Sequence, residues 1–250
     1  MWAMGNLLYQ LGSYILLLGK VFSKPEKKRI YYRQFLQELN NIGISSLGIV
    51  LIISLFMGSV VTLQTAYNTE SPFLPKYLIG LGCRDSMILE FSSTMIALFM
   101  AGKAGSNIAS ELGTMRITEQ IDALEIMGIN SASFLILPKI VASLFFFPLL
   151  TIISIITGIF GGWLSVVVTG VIPVPDFNYG LQYAFNPFFV TYTLIKSTIF
   201  AFIISSISSY YGYTVEGGAL EVGRASTKAV VYSSINVLLF NVILTQLLLS

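Results

Sequence analysis

Four runs of this sequence, residues 42–66, 134–168, 187–211 and 229–249, are apolar for long enough to carry a helix across a hydrocarbon layer. A run of about 20 such residues is what that crossing needs. Backbone amides in hydrocarbon must be satisfied within their own segment, so each run folds as a helix. A fifth run, 86–101, is shorter and carries Glu90. Only 10% of the chain is charged and 55% is hydrophobic, against roughly a quarter charged in soluble domains. The expected fold is therefore all-α and integral to a membrane, with five transmembrane helices.

The N-terminal run 2–19 has no Lys or Arg before it, which argues against a secretory signal peptide. Its polar residues Asn6, Gln10 and Ser13 recur along one helical stripe. That pattern is expected of an interfacial helix lying along the bilayer, the simpler rival being a sixth span. Lys20, Lys24, Lys27, Lys28, Arg29 and Arg33 precede the first span, and Lys103, Arg116, Lys139, Arg224 and Lys228 fall in alternate connections. The other connections hold only Lys76 and Arg84. The excess of cations on one side predicts a cytoplasmic N-terminus and, after five spans, a C-terminus outside.

The polar passage 101–128, AGKAGSNIASELGTMRITEQIDALEIMG, is wedged between two apolar runs and holds Glu111, Glu119, Asp122 and Glu125, four of the chain's twelve acids. On a helix, Ile117, Ile121, Leu124 and Gly128 line one face and Glu119, Asp122 and Glu125 the other, with Ile126 among the acids. A solvated face needs no apolar residue in its middle, whereas a docking face does. We expect this cytoplasmic helix to meet a soluble partner. Gly102 with Ser106, and Gly105, Ala109 and Gly113, place small residues at every fourth position, suited to close helix packing. Gly102-Lys103-Ala104-Gly105-Ser106 lacks the GxxxxGK[ST] order of a phosphate-binding loop, so the chain is not expected to hydrolyse ATP by itself. With no His and the single Cys83, His-based triads, metal clusters and an internal disulfide are excluded. No cofactor is expected on this chain.

Glu90 and Lys196 are charges inside spans, which are costly and face a protein interior or a wet cavity. Counted from the ends of their apolar runs, they lie about 7 Å and about 14 Å below the outer surface. Two readings stand side by side: a buried ion pair between the second and fourth spans, or a site where Lys196 meets a phosphate and Glu90 positions it. The third run, 35 residues long, measures about 50 Å as a helix. Pro148 can kink it, and Gly158, Gly161 and Gly162 permit close packing or hinging.

The pattern AGxxGxxIAxELGxMxxTEQIDAL closely resembles the signature of the MlaE (YrbE) permeases, membrane subunits of ABC systems that move phospholipids between the inner and outer membranes of Gram-negative bacteria. A second block, Tyr211-Gly212-Tyr213 through Gly217-Gly218, Val222-Gly223-Arg224-Ala225-Ser226-Thr227 and Ala229-Val230-Val231, is similar to the family's loop before its last helix. Gly128 followed by Leu137-Pro138 resembles the order of residues in the loop by which ABC permeases engage their ATPase. The resemblance covers about residues 35–249. It implies a homodimer, two cytoplasmic ATPase subunits that bind the ATP, an extracytoplasmic MCE-domain lipid carrier, and a place in the inner membrane. Lys196, within Leu194-Ile195-Lys196-Ser197, matches the family's intramembrane Lys. The chain departs from the pattern at Leu89, where members often carry Arg, and at Phe91-Ser92-Ser93, where they carry Leu-Gly-Pro. Together these readings divide the chain into an interfacial helix and basic linker (1–34), spans at 35–66, 85–110, 131–168, 187–211 and 228–249, and a coupling helix at 111–130. Two other classes, an ion-coupled secondary transporter using Glu90 and Lys196 and a non-transporting scaffold, fit less well: five spans show no repeated halves, and neither class requires a docking helix.

Overall fold

The computed structural model describes residues 2–23, 28–69 and 74–249. Lys24, Lys27 and the side chains of Asn6, Lys28 and Arg29 lie outside the described residues. Among the described residues every regular element is a helix: α1 (Trp2–Val21), α2 (Tyr31–Asn68), α3 (Tyr77–Ile117), α4 (Gln120–Ile126), α5 (Ser131–Thr169), α6 (Val174–Gln182), α7 (Phe188–Tyr213) and α8 (Ala219–Leu249). Five of them, α2, α3, α5, α7 and α8, are long and apolar enough to cross a membrane. The chain is an all-α, multi-pass membrane protein.

The shortest apolar run of the sequence belongs to the longest helix. α3 has 41 residues, about 60 Å at 1.5 Å each, or twice the hydrocarbon thickness. Polar residues at both ends of the run interrupt its hydropathy without interrupting the helix. Inside it, Met87–Met95 and Ala101–Gly105 are wound as wide π-helical turns, and a third such stretch, Leu39–Ile44, lies within α2. α5 begins at a conventional signal, with the Asn130 side chain accepting a hydrogen bond from the Ser133 amide at 3.2 Å. It ends on Gly170, whose φ of 65° is left-handed. Pro138 and Pro148 lie within it, and the helix continues through both.

Glycine sets the spacing of α2 and α5. A Cβ on Gly161 would strike the backbone of Leu55, and one on Gly58 the backbone of Gly158. Ser59 donates to the Gly161 carbonyl at 2.8 Å, and Ser54 to the Ser154 hydroxyl at 2.8 Å. Of the two uses open to the α5 glycines, close packing is the one realised. α7 lies at the centre, burying Ser205, Ser208, Ser209 and Gly212. Gly105 abuts Ser208, Ala109 abuts Gly212, and Gly113 abuts Val215 and Val222, whereas Gly102 faces open space. The run of small packing positions therefore starts at Gly105.

α1 docks on the bundle through buried Leu17 and Val21 and a 2.8 Å hydrogen bond between the Tyr14 and Ser206 hydroxyls. It leaves Tyr9, Leu11, Ile15 and Leu16 exposed. At the opposite end, α6 packs on the first turns of α3, where buried Arg84 donates to the carbonyls of Leu181 and Tyr183 at 2.9 and 2.8 Å. α8 is the barest helix, with 11% of its most apolar window buried.

Two alanine substitutions test the seam. Gly161→Ala should cost about 1–3 kcal/mol through overpacking. Gly102→Ala, with nothing within 4 Å of its Cβ, should be neutral or stabilising by up to about 1 kcal/mol from helix propensity. Thermal unfolding of the two purified variants compares them directly, and equal midpoints would contradict the packing described.

Candidate functional site

The intramembrane charges meet. Lys196 of α7, with no exposed surface, places Nζ 3.0 Å from a carboxylate oxygen of Glu90 on α3. Lys196 Nζ also donates to the Leu89 carbonyl at 3.3 Å and lies 4.9 Å from the centre of the Tyr192 ring. Measured from Tyr77, Glu90 is about 20 Å along its helix, and Lys196 is about 12 Å from Phe188. Depth counted from helix starts is unequal because the two helices begin at different levels, and the 3.0 Å contact shows that the charges themselves are level. The second Glu90 oxygen accepts from the amide of Asn241 on α8. Thr193 donates to the carbonyl of Ile88. Glu90, Leu89 and Ile88 all belong to a wide π-helical stretch of α3, of the kind often found at functional sites.

Two features separate this cluster from a closed structural bridge. The Glu90 side chain retains 43% of its surface, so half of a membrane-embedded carboxylate is uncovered within one chain. The Asn241 Oδ1 and Ser92 Oγ atoms are buried without hydrogen-bond partners. Buried polar atoms are seldom left unpaired. The cluster thus presents the Glu90 side chain at its surface, with the Lys196 ammonium and the unpaired Asn241 acceptor buried behind it.

A second ionic node lies nearer α4. Lys139, counted above among loop cations, is inside α5 and 2% exposed, paired with Glu38 at 2.6 Å and Glu111 at 2.7 Å. It joins α2, α3 and α5 at one point. Glu111 is thereby committed to an internal contact, although its side chain stays 43% exposed.

The docking segment is shorter and more jointed than periodicity predicts. Glu119 adopts φ 60°, left-handed, and separates Ile117 at the end of α3 from α4. Asp122 and Glu125 keep helical spacing within α4, but the three acids differ in their partners. Glu119 is exposed, Asp122 is bridged to Arg116, and Glu125 turns back to accept from Ser131 at 2.8 Å and Tyr213 at 3.0 Å. Those two hydrogen bonds, Ser131 first, hold the Glu125 carboxyl below its usual range. The carboxylate form is the one favoured, so this anchorage is complete at neutral pH and is lost as pH falls below the ordinary carboxylate range. Ile121 is fully buried beneath α4, while Ile126 is 86% exposed and Met127 projects beside it. The protruding tip is apolar.

Asn241, Lys139 and Tyr192 were not singled out from the sequence. Asn241 had a usable signal, an amide in the middle of the last apolar run. Lys139 had none, because a cation five residues past the start of an apolar run reads as interfacial.

The family model described as Permease MlaE matches residues 35–247. A probable ABC transporter permease protein of Rickettsia bellii is 38% identical over 224 residues, covering 87% of this chain and 84% of that protein. A probable ABC transporter permease protein of Synechocystis is 33% identical over 237 residues, covering 93% and 88%. The chloroplastic protein TRIGALACTOSYLDIACYLGLYCEROL 1 of Arabidopsis thaliana is 31% identical over 246 residues, covering 98% of this chain and 70% of that protein.

Lys139→Met should leave two neighbouring carboxylates without a cation and cost about 3–5 kcal/mol. The triple variant Lys139→Met, Glu38→Gln, Glu111→Gln should recover most of that loss, as measured by thermal stability in detergent. A single variant as stable as the parent would show that the node is not a stabilising contact.

Proposed function

We propose that this chain, which belongs to the MlaE permease family, is the membrane subunit of an ATP-driven transporter that moves phospholipid between the inner and outer membranes. The observation that carries the reading is the Glu90–Lys196–Asn241 cluster. It is a charged, incompletely satisfied group inside three spans. A phosphodiester is a second anion for the ammonium that Glu90 already pairs, in a medium where an unpaired charge is costly. In this reading Lys196 binds the phosphate, Glu90 holds the ammonium in place, and Asn241 orients Glu90.

The remaining assignments follow from family membership and from exposed surfaces. The basic α4 end faces the cytoplasm by the positive-inside rule, and α6 faces the periplasm, where an MCE-domain lipid carrier would collect or deliver cargo. Two cytoplasmic ATPase subunits bind and hydrolyse the ATP, one seated on each α4. The exposed apolar stripe of α8, including Val231, Ile235, Leu238 and Val242, takes a second copy of the chain. One bundle of five spans is too small to enclose a two-chain lipid, so the lipid path lies between two copies. The relatives named as ABC transporter permeases support the ATP-driven class.

Two measurements test this. In the reconstituted complex, Glu90→Leu with Lys196→Met should fold and hold its ATPase but lose lipid transfer. Transfer at the parental rate, with unchanged thermal stability, would reduce the cluster to a structural pair. Glu119→Lys with Ile126→Asp changes only exposed positions of the α4 region. It should abolish lipid-stimulated ATP hydrolysis or release the ATPase while the permease still inserts and dimerises. Normal turnover in an intact complex would remove α4 from the coupling surface.

A further inference from the structure

Two adjoining hollows lie between α1, α7 and α8. One, of about 200 Å³, is polar and opens at the α4 end of the bundle, lined by Glu216, Glu221, Arg224 and Lys228. The other, of about 540 Å³, is an apolar groove walled by Leu11, Ile199, Phe202, Ile207, Tyr232 and Phe240. Gln10, Tyr210 and Tyr211 line both, so the hollows adjoin. Tyr211 stacks on Tyr232 at the junction, with ring centres 5.3 Å apart and planes inclined by 15°.

We infer that this composite hollow is a second lipid site, holding a zwitterionic glycerophospholipid of the cytoplasmic leaflet with its headgroup between Arg224, Lys228, Glu216 and Glu221 and an acyl chain along α7. Three observations fix the occupant. The polar chamber holds two cations and two carboxylates, with Arg224 and Glu221 bridged at the surface at 2.6 Å and Lys228 and Glu216 beside them, a set that matches a phosphate and an ammonium together and leaves no net charge for a purely anionic headgroup. The groove runs from Tyr210 to Ile199, about 16 Å along α7, close to half of a hydrocarbon core of about 30 Å. A helix of a second copy would need an apolar path across both leaflets, and this one ends in charge after one. Tyrosines at the junction sit where ring and hydroxyl meet the boundary between hydrocarbon and headgroups.

The far end of the groove, at Ile199 and Phe240, gives the site its use. Ile199 is one helical turn from Lys196, and Phe240 precedes Asn241, which donates to Glu90. A lipid lodged here has its chain end beside the cluster assigned above to phosphate binding, and its headgroup in the inner leaflet. The site is the position from which lipid enters that cluster, or to which it is released. This inference rests on the orientation proposed above and not on transport.

The test uses the full chain in nanodiscs of dioleoyl phosphatidylglycerol doped with a phosphatidylethanolamine whose acyl chain carries a diazirine. After irradiation, adducts should concentrate on residues 199–211 and 232–240 relative to the more exposed apolar face of α2 at Ile52, Phe56 and Val60. Unlabelled dioleoyl phosphatidylethanolamine should displace the probe, and dioleoylglycerol should not. Arg224→Glu with Lys228→Glu should weaken that displacement about tenfold, the value of one charge-assisted contact. Adducts spread evenly over lipid-facing helices, equal displacement by dioleoylglycerol, or an unaffected charge-reversal variant would each overturn the inference. So would an unlabelled groove in which Phe202→Cys forms a disulfide with a second copy. No ATPase is present in the labelling, so its failure is read separately from a failure of the transfer assay.

Discussion

A charge carried into hydrocarbon must bring its counter-charge, and the helices of this chain are held in register by meeting that requirement at three levels. Near α6, Arg84 is buried against Asp85 and two carbonyls of the α6 segment. At mid-depth, Lys196 faces Glu90. Near α4, Lys139 faces Glu38 and Glu111. Each cation lies on one helix and most of its partners on others, so sliding any helix by a turn would strand a charge at a cost of several kcal/mol. Apolar packing alone is poor at fixing register between helices surrounded by lipid, since the tails are as apolar as the side chains.

The three levels differ in how completely they are satisfied. The Lys139 node has two carboxylates for one cation, both within hydrogen-bonding distance. Arg84 is surrounded by backbone and closed off by Phe185, 5.6 Å from its guanidinium carbon. Glu90 and Glu111 are equally exposed, and the middle level differs in that the amide holding its carboxylate, Asn241, itself keeps an unpaired buried oxygen. That contrast, more than the presence of charge, distinguishes a candidate ligand site from bracing.

The spans were legible because lipid imposes a length and an apolar composition on whatever crosses it. α2, α5, α7 and α8 announced themselves within a few residues of their ends, apart from α8, which starts earlier at Ala219. α3 was read as a short run at 86–101 because Arg84 and Asp85 at one end and the Gly102–Ser106 stretch at the other break its hydropathy. Packing against α6 and α7 supplies what lipid would otherwise demand there. Glu90 and Lys196 stood out as charges in apolar surroundings. Asn241 did not, since an uncharged amide perturbs hydropathy little. Helical periodicity puts Ile117 in phase with Ile121 and Leu124, and the left-handed Glu119 breaks that phase between Ile117 and α4. A single residue outside the α region rotates everything after it, which no periodicity count can anticipate.

Glu125 has a consequence that reaches beyond α4. Through Ser131 it grips the first turn of α5, and through Tyr213 the last turn of α7. α7 is one unbroken helix from Phe188 to Tyr213, with Lys196 about 25 Å from that grip. A helix resists compression along its axis far better than its side chains resist rotation. A displacement of α4 that kept both hydrogen bonds would therefore pull on the end of the helix that carries Lys196. One exposed carboxylate ties the short α4 to the rod on which the mid-membrane ammonium sits.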